Sequence, residues 1–204
     1  MQQLIDVFGF LSVLLRGAEI TAQSIMVGGI IYLLALVRPT ASDIGDQAPK
    51  LLWIGQRWIC GAALGLATVV AAAVAVDGSI LVATVDLSLS DLAGADFFIA
   101  DCVTVVSALI VAIFVRPRRG QSPAALWACL ALATVSIAAA AMTSHGAARV
   151  SDRAFLVAAD FLHQSAAAVW IGGIPYFLLS LRRCEGDSRA LAAIIPRFSR
   201  IAML

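Results

Sequence analysis

Two histidines are the side chains of this sequence whose chemistry is most specific. His145 follows one apolar segment, His163 lies within the next, and Met142 precedes the first histidine by three residues. Imidazole nitrogen binds copper and zinc well, and a thioether sulfur is selective for Cu(I). Residues three apart share a helical face, so Met142 and His145 point the same way if a helix continues that far. These residue types predict a metal site formed by His145, His163 and Met142.

Two further residues stand at helical spacing from His163. Asp160 precedes it by three positions and could accept the second ring N–H of a metal-bound imidazole, which would fix the orientation of the ring. Trp170 follows it by seven positions, on the same helical face, and could shield the site from lipid or water. Tryptophan is also enriched near membrane boundaries, so Trp170 is equally consistent with interfacial packing.

Charged residues near the start of the chain suggest a route for a cation. Arg16 and Glu19 are three residues apart and can pair on one helical face. The pair is consistent with two roles: it fixes the depth of a helix, or Glu19 lines a polar path for a cation. Asp101 and Cys102 lie together in a later apolar segment, and either could join that path.

The composition places these residues in a membrane protein. Of 204 residues, 61% are hydrophobic and only 13% are charged, whereas soluble domains are about 25% charged. The formal net charge is +1, and no basic stripe interleaved with aromatics occurs, so we expect no nucleic-acid partner. Nucleotide-binding loops, zincin motifs and nucleophile elbows do not occur, and we expect no enzyme.

Five stretches reach the roughly 20 apolar residues that cross a bilayer. The sequence predicts an all-α transmembrane bundle, a single domain over residues 1–204, with the start of a sixth span at 198–204. We therefore expect the chain to lack the C-terminal helices of a longer protein. Segment 79–95 shows strand-like alternation and acidic residues, and we interpret it as a loop lying partly on the membrane surface. The predicted spans are Phe10–Val37, Leu52–Val76, Phe97–Val115, Ala124–Met142 and Ala154–Leu181.

Arginine and lysine predict the orientation of the spans. They concentrate after spans one, three and five, while the loop after span two carries only acidic charges. Because positive loops stay in the cytoplasm, the N-terminus is predicted outside. Both histidines then lie on the outer side, on two helices that flank one short loop. Such helices are expected to be neighbours, which would let one ion bridge His145 and His163.

Glycines predict where helices approach each other closely. Gly61 and Gly65 form a small-xxx-small motif, and Gly28-Gly29 and Gly172-Gly173 offer two more surfaces without side chains. In lipid, where apolar burial does not drive association, small residues let helix backbones pack closely. The spans are therefore expected to form a tight bundle.

Several of these stretches resemble one known family, the copper resistance protein D (CopD/PcoD) family. Phe10–Gly17 and Val27–Gly29 are similar to the opening of its first helix, and Ser144–Ala148 to its Ser/Gly-His-Ala stretch. Leu162–Gly173 is the most specific match: Leu-His, then small residues, then Trp-x-Gly-Gly. Arg197–Ala202 resembles the entry to the next family helix. Gly146 departs from the pattern where alanine is expected.

The resemblance implies an inner-membrane protein of a bacterium that moves copper and contributes to copper resistance. Family members have about eight spans, so the resemblance implies further C-terminal helices as a possible source of ligands. The resemblance alone implies a periplasmic copper-binding protein as a partner. The lipid bilayer is the other expected partner. No oligomeric state is implied.

Two other functions remain open from the residues. His145 and His163 could be the axial ligands of a b-type haem in a membrane redox protein, although a haem near the end of a helix would be poorly buried. Alternatively, the bundle could be an accessory subunit that transports nothing, in which case both histidines would tolerate substitution.

Overall fold

A computed structural model describes residues 2–85, 88–117, 122–144, 146–148 and 151–203 of the chain. Within these residues the fold is all-α, and no strand occurs. Helix α1 continues without a break into a π-helical turn, Tyr32–Val37, and a 3-10 turn, Gly45–Gln47, precedes α3. The helices are α1 Gln2–Ile31, α2 Ala41–Ile44, α3 Ala48–Val85, α4 Leu89–Ala93, α5 Asp96–Phe114, α6 Pro123–Met142, α7 Arg153–Arg183 and α8 Ser188–Ala202.

Five helical segments of the described chain are long and apolar enough to cross a membrane. They correspond one to one with the five predicted spans, and the predicted all-α bundle is confirmed. The protein is therefore a multi-pass membrane protein. The segments are Gly9–Val37, Ala41–Thr84, Asp96–Phe114, Pro123–Met142 and Arg153–Arg183.

The second span is longer than predicted, because α3 continues past Val76, where the predicted span ends. It runs 38 residues to Val85, about 57 Å at about 1.5 Å per residue, against roughly 30 Å of hydrocarbon. The predicted loop with strand-like alternation is thus wrong for residues 79–85. Once a helix is nucleated, each further residue adds one hydrogen bond at little cost, so this short alternating stretch continues the helix. Beyond it, α4 begins with a capping box between Ser88 and Asp91.

The fourth span begins where the sequence indicated. Pro123 occupies the first helical turn, and the Ser122 side chain accepts a hydrogen bond from the backbone N–H of Ala125. Proline is favoured there because its missing N–H would have no partner in any case. Of the residues expected to open a sixth span, 198–202 belong to α8, and Leu204 lies outside the described residues. Helix α8 is amphipathic, with Ala190 and Ile194 buried against the bundle.

Helix α1 is the centre of the bundle. It contacts α3, α6 and α7, while α3 also contacts α5, α5 contacts α6, and α6 contacts α7. The contact between α6 and α7 confirms that the helices carrying the two histidine segments are neighbours. We call the end with Glu19, Asp101 and Asp160 the acidic end, and the end with Arg38 and Arg183 the basic end.

Helices α1 and α7 cross through glycines. A Cβ placed on Gly172 would overlap the backbone of Ser24, and one on Gly28 would overlap the backbone of Gly172. The hydroxyl of Tyr176 donates to the Ile25 carbonyl, 3.0 Å away, beside the same crossing. The predicted close approach is therefore confirmed at Gly28 and Gly172.

The small-xxx-small motif of α3 behaves differently. A Cβ placed on Gly61 or Gly65 would meet nothing within 4 Å. These two glycines do not bring another described helix close, because α3 turns a different face toward α1 and α5, where Ala63 and Leu66 are buried.

Two buried hydrogen bonds join the helices inside the bundle. Gln23 donates from Nε2 to the Ser136 hydroxyl, 3.3 Å away, linking α1 to α6. The Tyr32 and Ser180 hydroxyls share a hydrogen bond at 2.5 Å, linking the π-helical turn to α7. Polar side chains that satisfy each other across helices are a recurrent way of fixing neighbours in lipid.

Candidate cation-binding cleft

A cleft of about 660 Å³ opens at the acidic end of the bundle. It lies between α1, the C-terminal end of α6 and the first turns of α7, the three elements that also contact one another. Most of its polar groups come from α7 and from the segment that follows α6. Its lining residues are Arg16, Thr143, Ser144, Gly146, Leu156, Ala159, Asp160, His163 and Gln164.

Asp160 connects α7 to the segment after α6. Its carboxylate accepts a hydrogen bond from the Ser144 hydroxyl at 2.5 Å. A Cβ placed on Gly146 would lie 3.0 Å from Asp160 Oδ2 and 3.1 Å from Leu156 Cβ. The segment around residues 144 and 146 is therefore held tightly against the start of α7.

His163 is exposed on α7 and lines the cleft three residues after Asp160. Among the described residues, no hydrogen bond joins the two side chains, and the partner of Asp160 is Ser144. Helical side chains lean toward the N-terminus of their helix, which directs Asp160 toward Ser144 rather than toward His163. The predicted support of the imidazole by Asp160 thus remains a prediction.

His145 lies outside the described residues, so its predicted pairing with His163 stays a prediction. Its sequence neighbours on both sides, Ser144 and Gly146, line the cleft that His163 also lines. Within the described part of the chain, no group of three or more histidine, cysteine, aspartate or glutamate side chains is arranged to hold a metal ion.

The ion pair expected on the first span is present. Arg16 Nη1 lies 2.9 Å from both carboxylate oxygens of Glu19. Glu19 is buried, whereas Arg16 reaches the cleft. Asp101 of α5 interacts electrostatically with Glu19, Arg16 and Asp77. Glu19 contacts the Arg16 guanidinium, and Asp101 lies within electrostatic range of both, so the excess negative charge favours a cation there.

The remaining predicted site residues lie in other cavities. Met142 lines a cavity of about 590 Å³ together with Phe161. Cys102 lines a cavity of about 410 Å³ that is formed mainly by α5. Trp170, which is 56% exposed, shares an apolar groove of about 790 Å³ with His163. Of these three residues, Trp170 shares a cavity with His163, and the Met142 thioether and the Cys102 thiol line other cavities.

Sequence reasoning missed three polar residues of the cleft, Thr143, Ser144 and Gln164. Two of them had a usable signal. Ser144 directly precedes His145, and Gln164 is a polar residue inside an apolar segment, where polar groups are costly and tend to be functional.

Comparisons of the chain with protein-family models, with curated proteins and with solved structures find no match. The fold and the site define the class of protein: a multi-pass α-helical membrane protein with a polar cleft at its acidic end. The resemblance to the copper resistance protein D family stays a prediction.

Proposed function

We propose that this protein binds a copper ion at the acidic-end cleft and passes it across a bacterial inner membrane, as a transporter rather than an enzyme. One observation carries the proposal: His163 lines the same cleft as Ser144 and Gly146, the two residues that flank His145 in the sequence. An imidazole from each of two neighbouring helices is the arrangement that the copper prediction requires.

The electrostatics of the cleft support a cationic cargo. The guanidinium of Arg16 would repel a metal ion, but Glu19 neutralises it through two short contacts of 2.9 Å. The additional carboxylates of Asp101 and Asp160 then leave the region net negative. Carboxylates held in a low-dielectric setting raise the local concentration of cations.

The donor atoms in the cleft favour Cu(II) at the entry. The described donors are imidazole nitrogen from His163 and oxygens from Asp160, Gln164 and Ser144. Nitrogen and oxygen donors suit Cu(II), whereas thioether sulfur selects Cu(I). Met142 lines a different cavity, so the structure gives the cleft no described sulfur ligand.

The distribution of charge supports the proposed orientation. The basic end carries arginines on α7 and α8, including Arg182, Arg183 and Arg189. By the positive-inside rule this end faces the cytoplasm, and the cleft then faces the periplasm. A periplasmic copper-binding protein would deliver its ion there.

Binding of Cu(II) to the purified protein in detergent tests the proposal. Electron paramagnetic resonance should show one Cu(II) per chain with nitrogen hyperfine structure, and His163→Ala should weaken binding at least ten-fold. Asp160→Asn should weaken it less. Asp152→Asn is the matched control, because Asp152 is exposed at the start of α7 with φ of 58°, where asparagine is equally tolerated. Undiminished binding by His163→Ala would refute the site.

Copper accumulation in cells separates transport from binding alone. Cells expressing the protein should accumulate more copper than cells expressing His163→Ala at equal protein level. Equal accumulation would contradict transport through this cleft. A red preparation with a Soret band that His163→Ala abolishes would instead establish the haem alternative.

A further inference from the structure

Helix α8 packs one largely apolar face against the bundle. Ala190 and Ile194 are buried, and Phe198 stacks on Phe177 of α7 with ring centroids 4.0 Å apart. Apolar residues at this helical spacing form one face, and that face attaches α8 to the bundle. Arg189 and Arg200 lie off that face and are exposed, whereas Arg197, seven residues after Ala190, lies on it and is partly buried.

Two of these arginines, Arg197 and Arg200, flank a small cavity of about 310 Å³ against the end of α1. Arg197 Nε donates to the carbonyl of Ala35 at 2.7 Å, inside the π-helical turn. This bond holds the guanidinium at the cavity, and its two terminal nitrogens have no hydrogen-bond partner among the described residues. Arg200 is exposed, and its Nε donates to the Pro196 carbonyl on its own helix at 3.4 Å.

No described carboxylate pairs with either arginine. The ion pair that α8 does make uses Arg189, which contacts Asp43 at 3.2 Å. Two like charges three residues apart on a helix repel each other, so Arg197 and Arg200 together would be stabilised by an anion. The planar guanidinium fork fits the oxygens of a phosphate.

The arginine cavity continues into an apolar groove. Ala35 and Ile201 line both the arginine cavity and the larger groove of about 790 Å³ that extends along α7. The groove follows α7 from Ile171 to Leu162, about 14 Å at about 1.5 Å per residue and close to half the hydrocarbon thickness. Its length therefore suits one acyl chain of one leaflet.

We propose that the groove between α1, α7 and α8 binds one anionic phospholipid. The lipid phosphate contacts Arg197 and Arg200, and an acyl chain lies along α7 against Trp170. The phosphate at one end and the hydrocarbon along the rest are complementary to the charge and the apolarity of the cavity. This inference does not depend on copper binding.

Native mass spectrometry of the full chain, released from nanodiscs containing equal amounts of phosphatidylglycerol and phosphatidylcholine, measures the retained lipid. We expect one phosphatidylglycerol per chain and little phosphatidylcholine. Arg200→Gln should lower that occupancy about ten-fold, since a hydrogen bond to a charged group contributes roughly that factor. Arg183→Gln is the charge-matched control, because Arg183 is exposed in the last turn of α7.

Equal retention of both lipids would overturn the proposal, as would an equal loss from Arg183→Gln and Arg200→Gln. Displacement of the lipid by millimolar inorganic phosphate would also overturn it, since a site for the phosphate alone needs no groove. If Arg200→Gln does not fold, Arg200→Lys keeps the charge but loses the bidentate contact, and it should still lower retention several-fold.

A second measurement tests the position of the lipid acyl chain. Phosphatidylglycerol with brominated acyl chains should quench the fluorescence of the protein more than brominated phosphatidylcholine does. The difference should disappear in Trp170→Phe. A difference that persists in Trp170→Phe would place the lipid elsewhere and refute the groove.

Discussion

The glycine crossing of α1 and α7 is the part of the fold most sensitive to a single methyl group. In Gly172→Ala, the new Cβ would occupy the position of the Ser24 carbonyl, and neither backbone can move without separating the two helices. Overpacking costs typically about 1–3 kcal/mol. Because the obstacle is backbone, we expect a loss of about 3 kcal/mol, partly offset by the roughly 0.5–1 kcal/mol that alanine gains over glycine in a helix.

The net loss of about 2 kcal/mol corresponds to roughly a 30-fold change in the unfolding equilibrium. Titration of micellar protein with sodium dodecyl sulfate, followed by circular dichroism, measures it. Gly61→Ala is the matched control, because a Cβ there meets nothing within 4 Å. It should leave the midpoint unchanged or raise it slightly. If Gly172→Ala unfolds at the same detergent fraction as Gly61→Ala, the crossing geometry is wrong.

The same substitution also reports on the cleft. Arg16 and His163 reach it from α1 and α7, and the spacing of these helices is set at the crossing. We therefore expect Gly172→Ala to weaken Cu(II) binding as well, while Gly61→Ala leaves it unchanged. Normal binding by a destabilised Gly172→Ala would show that the cleft does not depend on the crossing.

Three further predictions address single side chains. Tyr32→Phe removes a buried interhelical hydrogen bond and should cost about 0.6 kcal/mol, the mean found for such bonds in membranes, in the same detergent titration; no loss would contradict the bond. Glu19→Gln leaves Arg16 without its counter-charge and should weaken Cu(II) binding several-fold by equilibrium dialysis; unchanged affinity would show that the pair does not shape the cleft. Burial, and then the nearby Asp187 carboxylate, raise the pKa of the Cys184 thiol, so Asp187→Asn, which keeps a good N-cap, should lower that pKa. Because this thiol is buried, the pKa is measured from the ultraviolet absorbance of the thiolate during a pH titration, as the difference with and without Cys184→Ser; an unchanged pKa would exclude the carboxylate as a cause.

The sequence was most informative where the signal is local. The start of α6 at Pro123 and the end of α7 at Arg183 follow from proline, arginine and hydropathy within a few residues. The extension of α3 to Val85 was missed, because alternation over a few residues cannot outweigh a helix that is already formed. Helix propagation is a property of the preceding turns, not of the segment itself.

At the candidate site, too, contacts within one helix could be predicted from the sequence, whereas contacts between helices could not. The ion pair of Arg16 with Glu19 was predictable because residues three apart are neighbours on the surface of a helix. The separation of Met142 from His163 was not, because they belong to different helices. The bond from Ser144 to Asp160 likewise depends on how α6 ends and where α7 begins.

The sequence by itself determined the class of the protein, its five apolar helices and the asymmetry of charge between their ends. Those properties depend on length and hydropathy, which are sums over neighbouring residues. Only the tertiary structure decided that α1 crosses α7 at Gly28 and Gly172, that Gly61 faces no helix of the described chain, and which side chains share the His163 cleft. In a membrane the face of a helix that contacts lipid is as apolar as the face that contacts another helix. Hydropathy therefore cannot tell which face meets a neighbour, and close packing between backbones decides it.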